Sequence, residues 1–186
     1  YHSLFFMCKI VFTKYPLFFF LLVFIVMDVF AEEKPDNFVY VTEIIPNIKQ
    51  DIRYFGNNNF VGRPITGYKK PVCMLTNPAA HALLKVQSVL NKQNLGLLVY
   101  DCYRPQMAVN DFIQWSQNSD QKMKEIFYPH INKSNLFRLN YIARRSGHTR
   151  GSTVDLTIVD LENNQVLDMG TPFDYLDPLS HPDNRD

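Results

Sequence analysis

Charge of one sign is missing from this sequence: 19 lysines and arginines face 18 acidic residues among 186. That balance removes the electrostatic footprint of a nucleic-acid binder and of an acidic tail. Cysteine is scarce as well. Cys8, Cys73 and Cys102 have no second cysteine or histidine at metal-finger spacing, so thiolate zinc modules are excluded. His-Glu-x-x-His is absent too, because His81 falls in a predicted helix with neither an acid nor a histidine four residues on. There is no internal repeat, and the 11 prolines and 7 glycines are scattered rather than clustered. The apolar run Leu17–Met27 has only 11 residues, well short of the ~20 that span a bilayer.

What is present begins with that run. Lys9 and Lys14 precede it, and Val29-Phe30-Ala31 followed by Glu32-Glu33-Lys34 closes it. Basic region, short apolar core and small residues are the order of a secretory signal, with cleavage expected between Ala31 and Glu32. An uncleaved anchor is the alternative. Tyr1 is no initiator, and a start at Met7 gives a signal of ordinary length, which leaves residues 1–6 upstream. The expectation is a leader over 1–31, a domain over 32–186, and a periplasmic or secreted product without a stable membrane partner. Cys73 and Cys102 then sit where disulfides persist, although sequence alone does not say whether they approach. A hydrophobic share of 46% and an aromatic share of 14% suffice for one core.

Along the mature chain, Phe38–Ile45 alternates and is rich in β-branched and aromatic residues, which predicts a strand ended by Pro46-Asn47. Residues 51–72 read as loop. Asn77-Pro78 predicts a helix start, with Asn77 as N-cap and apolar positions continuing to Leu90. Leu97–Tyr100 is wholly apolar, a strand buried on both faces, and it runs straight into Asp101-Cys102-Tyr103-Arg104-Pro105. A second helix is expected from Gln106 to about Ser116, and turns over 117–135. Ser152–Asp160 reads as a half-buried strand with Asp155 on its polar face, beside Thr153 and Thr157.

The densest signal is Ser146-Gly147-His148-Thr149-Arg150-Gly151-Ser152-Thr153-Val154-Asp155. A histidine in a glycine-bounded turn can fold back toward an aspartate on the following strand, and imidazole with carboxylate is a ligand chemistry that zinc accepts. From spacing alone, one histidine and one aspartate near a turn are more often a surface hydrogen-bonded pair. The pattern Ser-x-His-x-x-Gly-x-x-x-Asp resembles the zinc motif of the VanX-type D-Ala-D-Ala dipeptidases and related D,D-carboxypeptidases. Two further blocks in the same order, DCYRPQMAVNDFIQW (101–115) and MGTPFDYLDPLSH (169–181), are similar to that family.

The resemblance implies an α+β domain with a largely antiparallel sheet and flanking helices. It further implies one Zn²⁺ per chain held by His148 and Asp155, Arg104 as transition-state stabiliser, Ser146 lining the substrate pocket, and hydrolysis of D-Ala-D-Ala. Tyr103 is expected to pack beneath Arg104. In that family a Glu-x-x-His segment near the C-terminus gives the general base and a third ligand. This sequence reaches Asp186 without one, so the expectation divides between a fragment of an active enzyme and a truncated product. His130 and His181 do not match the family's ligand position, and Arg144, Arg145 and Arg150 are given no role. A carboxypeptidase acting on longer muropeptides, an inactive remnant that only binds cell-wall peptides, and a structural envelope protein are the competing readings.

Overall fold

A computed structural model describes residues 34–183; the expected leader lies outside them. Strand β1 (Phe38–Tyr40) pairs antiparallel with β3 (Met74–Thr76) in a two-stranded sheet. A second sheet has the order β2-β4-β5: β4 (Leu95–Asp101) is central, parallel to the short β2 (Lys49–Gln50) and antiparallel to β5 (Asp155–Asp160). Helices α1 (Val41–Ile44), α2 (Asn77–Asn91), α3 (Gln106–Gln117) and α4 (Lys124–Phe127) complete the regular structure. The fold class is α+β, as the sequence leads one to expect. No helix among the described residues is long and apolar enough to cross a membrane.

Several boundaries differ from the sequence reading. The strand expected over Phe38–Ile45 is only three residues long, because the chain turns into α1 at Val41. Val41 and Ile45, four apart, thereby reach the same apolar cluster. Helix α2 is capped by Thr76 rather than Asn77. Thr76 Oγ1 is paired with Ser152 Oγ (2.8 Å) instead of with its own helix, so tertiary bonding has displaced the local cap. On β5, Asp155's side is the more covered one: Thr157 and Val159 are buried while Leu156 and Ile158 are half-buried. The carboxylate therefore faces into the protein.

Two buried clusters hold these pieces. One is aromatic and lies under α3, with Tyr54, Phe60, Phe112, Trp115 and Tyr128 in edge and tilted contacts at 4.9–5.8 Å. Such pairs add about 0.5–1.5 kcal/mol each beyond area burial. The other is aliphatic, with Val41, Leu75, Ala80, Leu83, Leu97 and Val99 around a disulfide between Cys73 and Cys102. Ala80, Leu83 and Gln87 form the buried stripe of α2 at helical spacing, and the Gln87 carbonyl accepts the Leu97 N–H (3.0 Å), tying the helix to β4. Tyr68 packs against both clusters.

Candidate metal centre and its surroundings

One irregularity in β4 builds the site. The register pairs Val99 with Leu156 and then Asp101 with Asp155, so Tyr100 is an extra residue on β4. Such bulges bend a strand and redirect side chains. Here the bulge sets two carboxylates directly opposite each other, an arrangement that demands positive charge between or beside them.

That charge comes from two loops. β4 ends at Asp101 and Pro105 caps α3, and Arg104 sits in the turn between them with its side chain folded back on Asp101: Nε at 2.9 Å and Nη2 at 2.7 Å from Oδ2, with Nη2 3.5 Å from Asp155. The Arg104 guanidinium lies over the rings of Tyr54 (5.0 Å) and Phe112 (5.4 Å). Burial alone would loosen its proton, but the oxygens of Tyr54 and Asp101 outweigh that and hold its pKa above the ordinary range. Tyr103, expected beneath Arg104, instead turns away to meet Phe38 edge-on at 5.3 Å, because its N–H is bound to the Met74 carbonyl (3.0 Å) on β3.

The second loop carries His148 on a 3-10 turn, Gly147–Arg150, capped by Ser146, whose Oγ accepts the His148 N–H at 3.2 Å. Gly151 ends the turn at φ 68°, and a Cβ there would stand 2.1 Å from the Phe38 ring. Only glycine suits a position that is both left-handed and overlain by an aromatic ring. Its carbonyl receives the Thr76 N–H (2.8 Å), and the His148 carbonyl receives the Arg104 N–H (3.2 Å), so the turn is docked on two neighbours.

The imidazole is oriented by what it touches. Nδ1 is 2.8 Å from the Cys102 carbonyl oxygen, to which it donates, and that turns Nε2 toward Asp155 Oδ1 at 3.3 Å. Burial lowers the imidazole pKa, but the hydrogen bond and charge of Asp155 more than offset it, so in the metal-free protein it rises above its ordinary value. A cation at this point competes with that proton.

Asp101, His148 and Asp155 all offer ligand atoms within 4.8 Å of one another. Asp101 nevertheless lies on the Nδ1 side of the ring (3.3 Å), and its oxygens are taken by Arg104 and by the Tyr68 hydroxyl (2.7 Å). It is the anchor of Arg104, fully buried, its carboxyl pushed up by burial and pulled back by Arg104 and His148. The two donors that face each other are His148 Nε2 and Asp155 Oδ1. Their 3.3 Å separation matches the edge of about 3.3 Å in a tetrahedron with zinc bonds of ~2.0 Å. The donor set thus fits two corners of a zinc site.

Sequence reasoning missed three contributors. Asp101 was visible only as the charged end of a buried strand. Tyr54 and Asp174 lie far apart in the chain but join through a 2.8 Å hydrogen bond from the Tyr54 hydroxyl. Burial, with the nearby Asp155 adding to it, raises the Asp174 carboxyl to about 7 despite that bond. Asp174 also sits at φ 61°, a strained conformation for a residue with a side chain. The other candidates lie apart from the centre: His130 pairs with Asp177 (2.7 Å), His181 stacks on Tyr141, Arg144 covers Phe137, and His81 contacts the Asn77 carbonyl on the surface.

Comparison with known proteins agrees with this geometry. Residues 34–186 match the family described as D-ala-D-ala dipeptidase. A D-alanyl-D-alanine dipeptidase of Streptomyces coelicolor is 40% identical over 151 residues, covering 81% of this chain and 75% of the relative. Enzymes of the same name from Enterococcus faecium and Enterococcus faecalis are 37% and 36% identical, covering 78% of this chain in each case and 72% and 73% of the relatives. The chain belongs to the D-Ala-D-Ala dipeptidase family.

Proposed function

We propose that this protein is a zinc-dependent dipeptidase that hydrolyses D-alanyl-D-alanine outside the cytoplasm, with His148 and Asp155 as two of the protein ligands. The observation that carries the reading is the directed pair: His148 committed through Nδ1 to a backbone carbonyl, its Nε2 aimed at Asp155, and an immobilised arginine 3.5 Å from the same carboxylate. Bound there, zinc supplies Lewis acidity at the scissile carbonyl. The Glu-x-x-His segment implied by the resemblance would add the third ligand and the general base.

The chain's own residues account for the rest of the chemistry. Arg104 is held by Asp101 and the Tyr54 and Phe112 rings, so its remaining N–H donors need no reorganisation to receive the negative charge that develops on the carbonyl oxygen. A free dipeptide carries an ammonium group at one end. Our candidate for receiving it is Asp174, which is tethered by Tyr54 and within electrostatic reach of Asp155 and Arg104. Ser146, buried at the mouth of the histidine turn, keeps a hydroxyl proton for the substrate while its oxygen caps the turn. The Cys73–Cys102 bridge supports an oxidising location.

The test is zinc content together with D-alanine release from D-Ala-D-Ala. The full-length protein is expected to bind one zinc and to lose hydrolysis on chelation. His148→Ala and Asp155→Ala should both lose the metal. Full zinc occupancy in those two variants would overturn the ligand assignment, and turnover that survives chelation would overturn the zinc mechanism.

A further inference from the structure

We propose that the Cys73–Cys102 disulfide is a positioning device for the His148 imidazole and for Arg104. The claim rests on the metal-site reading above. It goes beyond that reading by assigning the bridge a task in the site rather than in stability alone.

The residues from Cys102 to Pro105 belong to no strand or helix. The β4–β5 ladder ends at Asp101, just past the bulge, so nothing in the sheet fixes the next carbonyl. Yet that carbonyl, on Cys102, is the acceptor that orients the His148 ring, and two residues later the Arg104 N–H holds the His148 carbonyl. The same short turn therefore grips the histidine at both its side chain and its backbone.

Two links from this turn reach the other sheet. One is the Tyr103 N–H bond to the Met74 carbonyl (3.0 Å), and the other is the disulfide to Cys73, the residue before β3, with the Cα atoms 5.3 Å apart. Cys73 is itself firmly seated. Its N–H donates to Gln50 Oε1 (2.6 Å), and its carbonyl accepts the Val41 N–H (3.0 Å). Both cysteines are almost fully enclosed, at 1% and 2% exposure, so the bridge is shielded from reductants in the folded protein. The disulfide thus joins an anchored segment, beside the Tyr103 N–H bond, to a turn whose first carbonyl lies outside the ladder and holds the imidazole Nδ1. Groups that orient a ligand in this way govern metal affinity even though they never touch the ion.

The experiment compares the intact full-length protein with two bridge-free variants, Cys73→Ala/Cys102→Ala and Cys73→Val/Cys102→Ala. The second refills most of the lost volume in case the first folds poorly. Folding is checked by Trp115 fluorescence, which reports on the separate aromatic cluster. Zinc affinity is measured by competition with a chromogenic chelator, and the tautomer of His148 by nitrogen-15 imidazole spectra of the metal-free protein. The expected result is a loss of about 10-fold or more in zinc affinity, together with a smaller share of the Nδ1–H tautomer at a pH where the ring is neutral. A folded bridge-free variant with unchanged zinc affinity and an unchanged tautomer overturns the proposal and leaves the disulfide with a purely stabilising role. His148→Ala in the disulfide-intact protein separates the two claims. If it retains zinc, the metal-site reading fails, while the metal-free tautomer measurement still judges the bridge.

Discussion

At the scale of single residues, the site depends on atoms that cannot be exchanged for near equivalents. Arg104 satisfies Asp101 through two nitrogens of a planar fork while lying over the Tyr54 and Phe112 rings. A lysine offers a point charge with neither the fork nor the flat face. Arg104→Lys should therefore lower kcat by about 10²-fold or more with a much smaller change in KM, as steady-state assays would show. If kcat were unchanged, Arg104 would not stabilise charge in the transition state. Gly151 is constrained in a different way. Alanine there meets both the left-handed backbone cost of about 1–2 kcal/mol and the Phe38 ring. Gly151→Ala should cut stability by at least that amount in a denaturant titration and weaken zinc retention with it, because the turn it ends carries His148. Asp174→Asn should raise KM for the free dipeptide more than it lowers kcat, since it removes the partner of the substrate ammonium. An unchanged KM would place the ammonium elsewhere.

At the scale of elements, helix α3 is fastened to the preceding loop by Asp111, which binds Arg63 through two nitrogens (2.9 and 2.6 Å) and the Thr66 N–H (2.9 Å). The Arg63 hydrogen bonds hold the Asp111 carboxyl at about 2, well below the usual carboxylate range. A carboxylate depressed in the folded state contributes stability above its unfolded pKa and loses it as pH falls toward the folded one. Asp111→Asn should then cost about 1–2 kcal/mol at pH 7, reduced by solvent around the half-exposed Arg63. The difference in Tm from the native protein should shrink between pH 4 and pH 2, and a difference that persisted at pH 2 would point to packing instead of charge.

The elements also show what was legible in the sequence. Helices α2 and α3 were readable because Pro78 and Pro105 mark their starts and the apolar stripe is regular. Strand β5 was readable from alternation, and His148 and Asp155 from the spacing that the family shares. The bulge at Tyr100 was not readable, because Leu97–Tyr100 is uniformly apolar and gives no sign of register. Without it, the facing of Asp101 and Asp155 is invisible. The partnership of Tyr54 with Asp174 spans 120 residues, and the pairing of Cys73 with Cys102 depends on how two sheets meet, neither of which local periodicity encodes. The break of Phe38–Ile45 into a short strand and a helical turn is not visible locally, because packing of Val41 and Ile45 into one cluster overrides the strand preference of β-branched residues.

At the scale of the whole molecule, the disulfide closes a segment with a sequence separation of 29, which in the chain-entropy account is worth roughly 3–4 kcal/mol. In that account the cost sits in the unfolded ensemble, which the bridge keeps compact, so loss of the bridge should appear as a lower denaturation midpoint with a slope that is unchanged or steeper. An unchanged midpoint would mean that the bridge does not stabilise the fold. A different liability follows from Phe38. This ring lies against Gly151 and the edge of Tyr103, so an early residue of the described domain acts as a cover for the loop that presents the histidine. Amino-terminal trimming that removes Phe38 would uncover the histidine loop while leaving Asp101, His148 and Asp155 in the chain. Processing at that end is thus a point of vulnerability that lies outside the candidate ligands themselves.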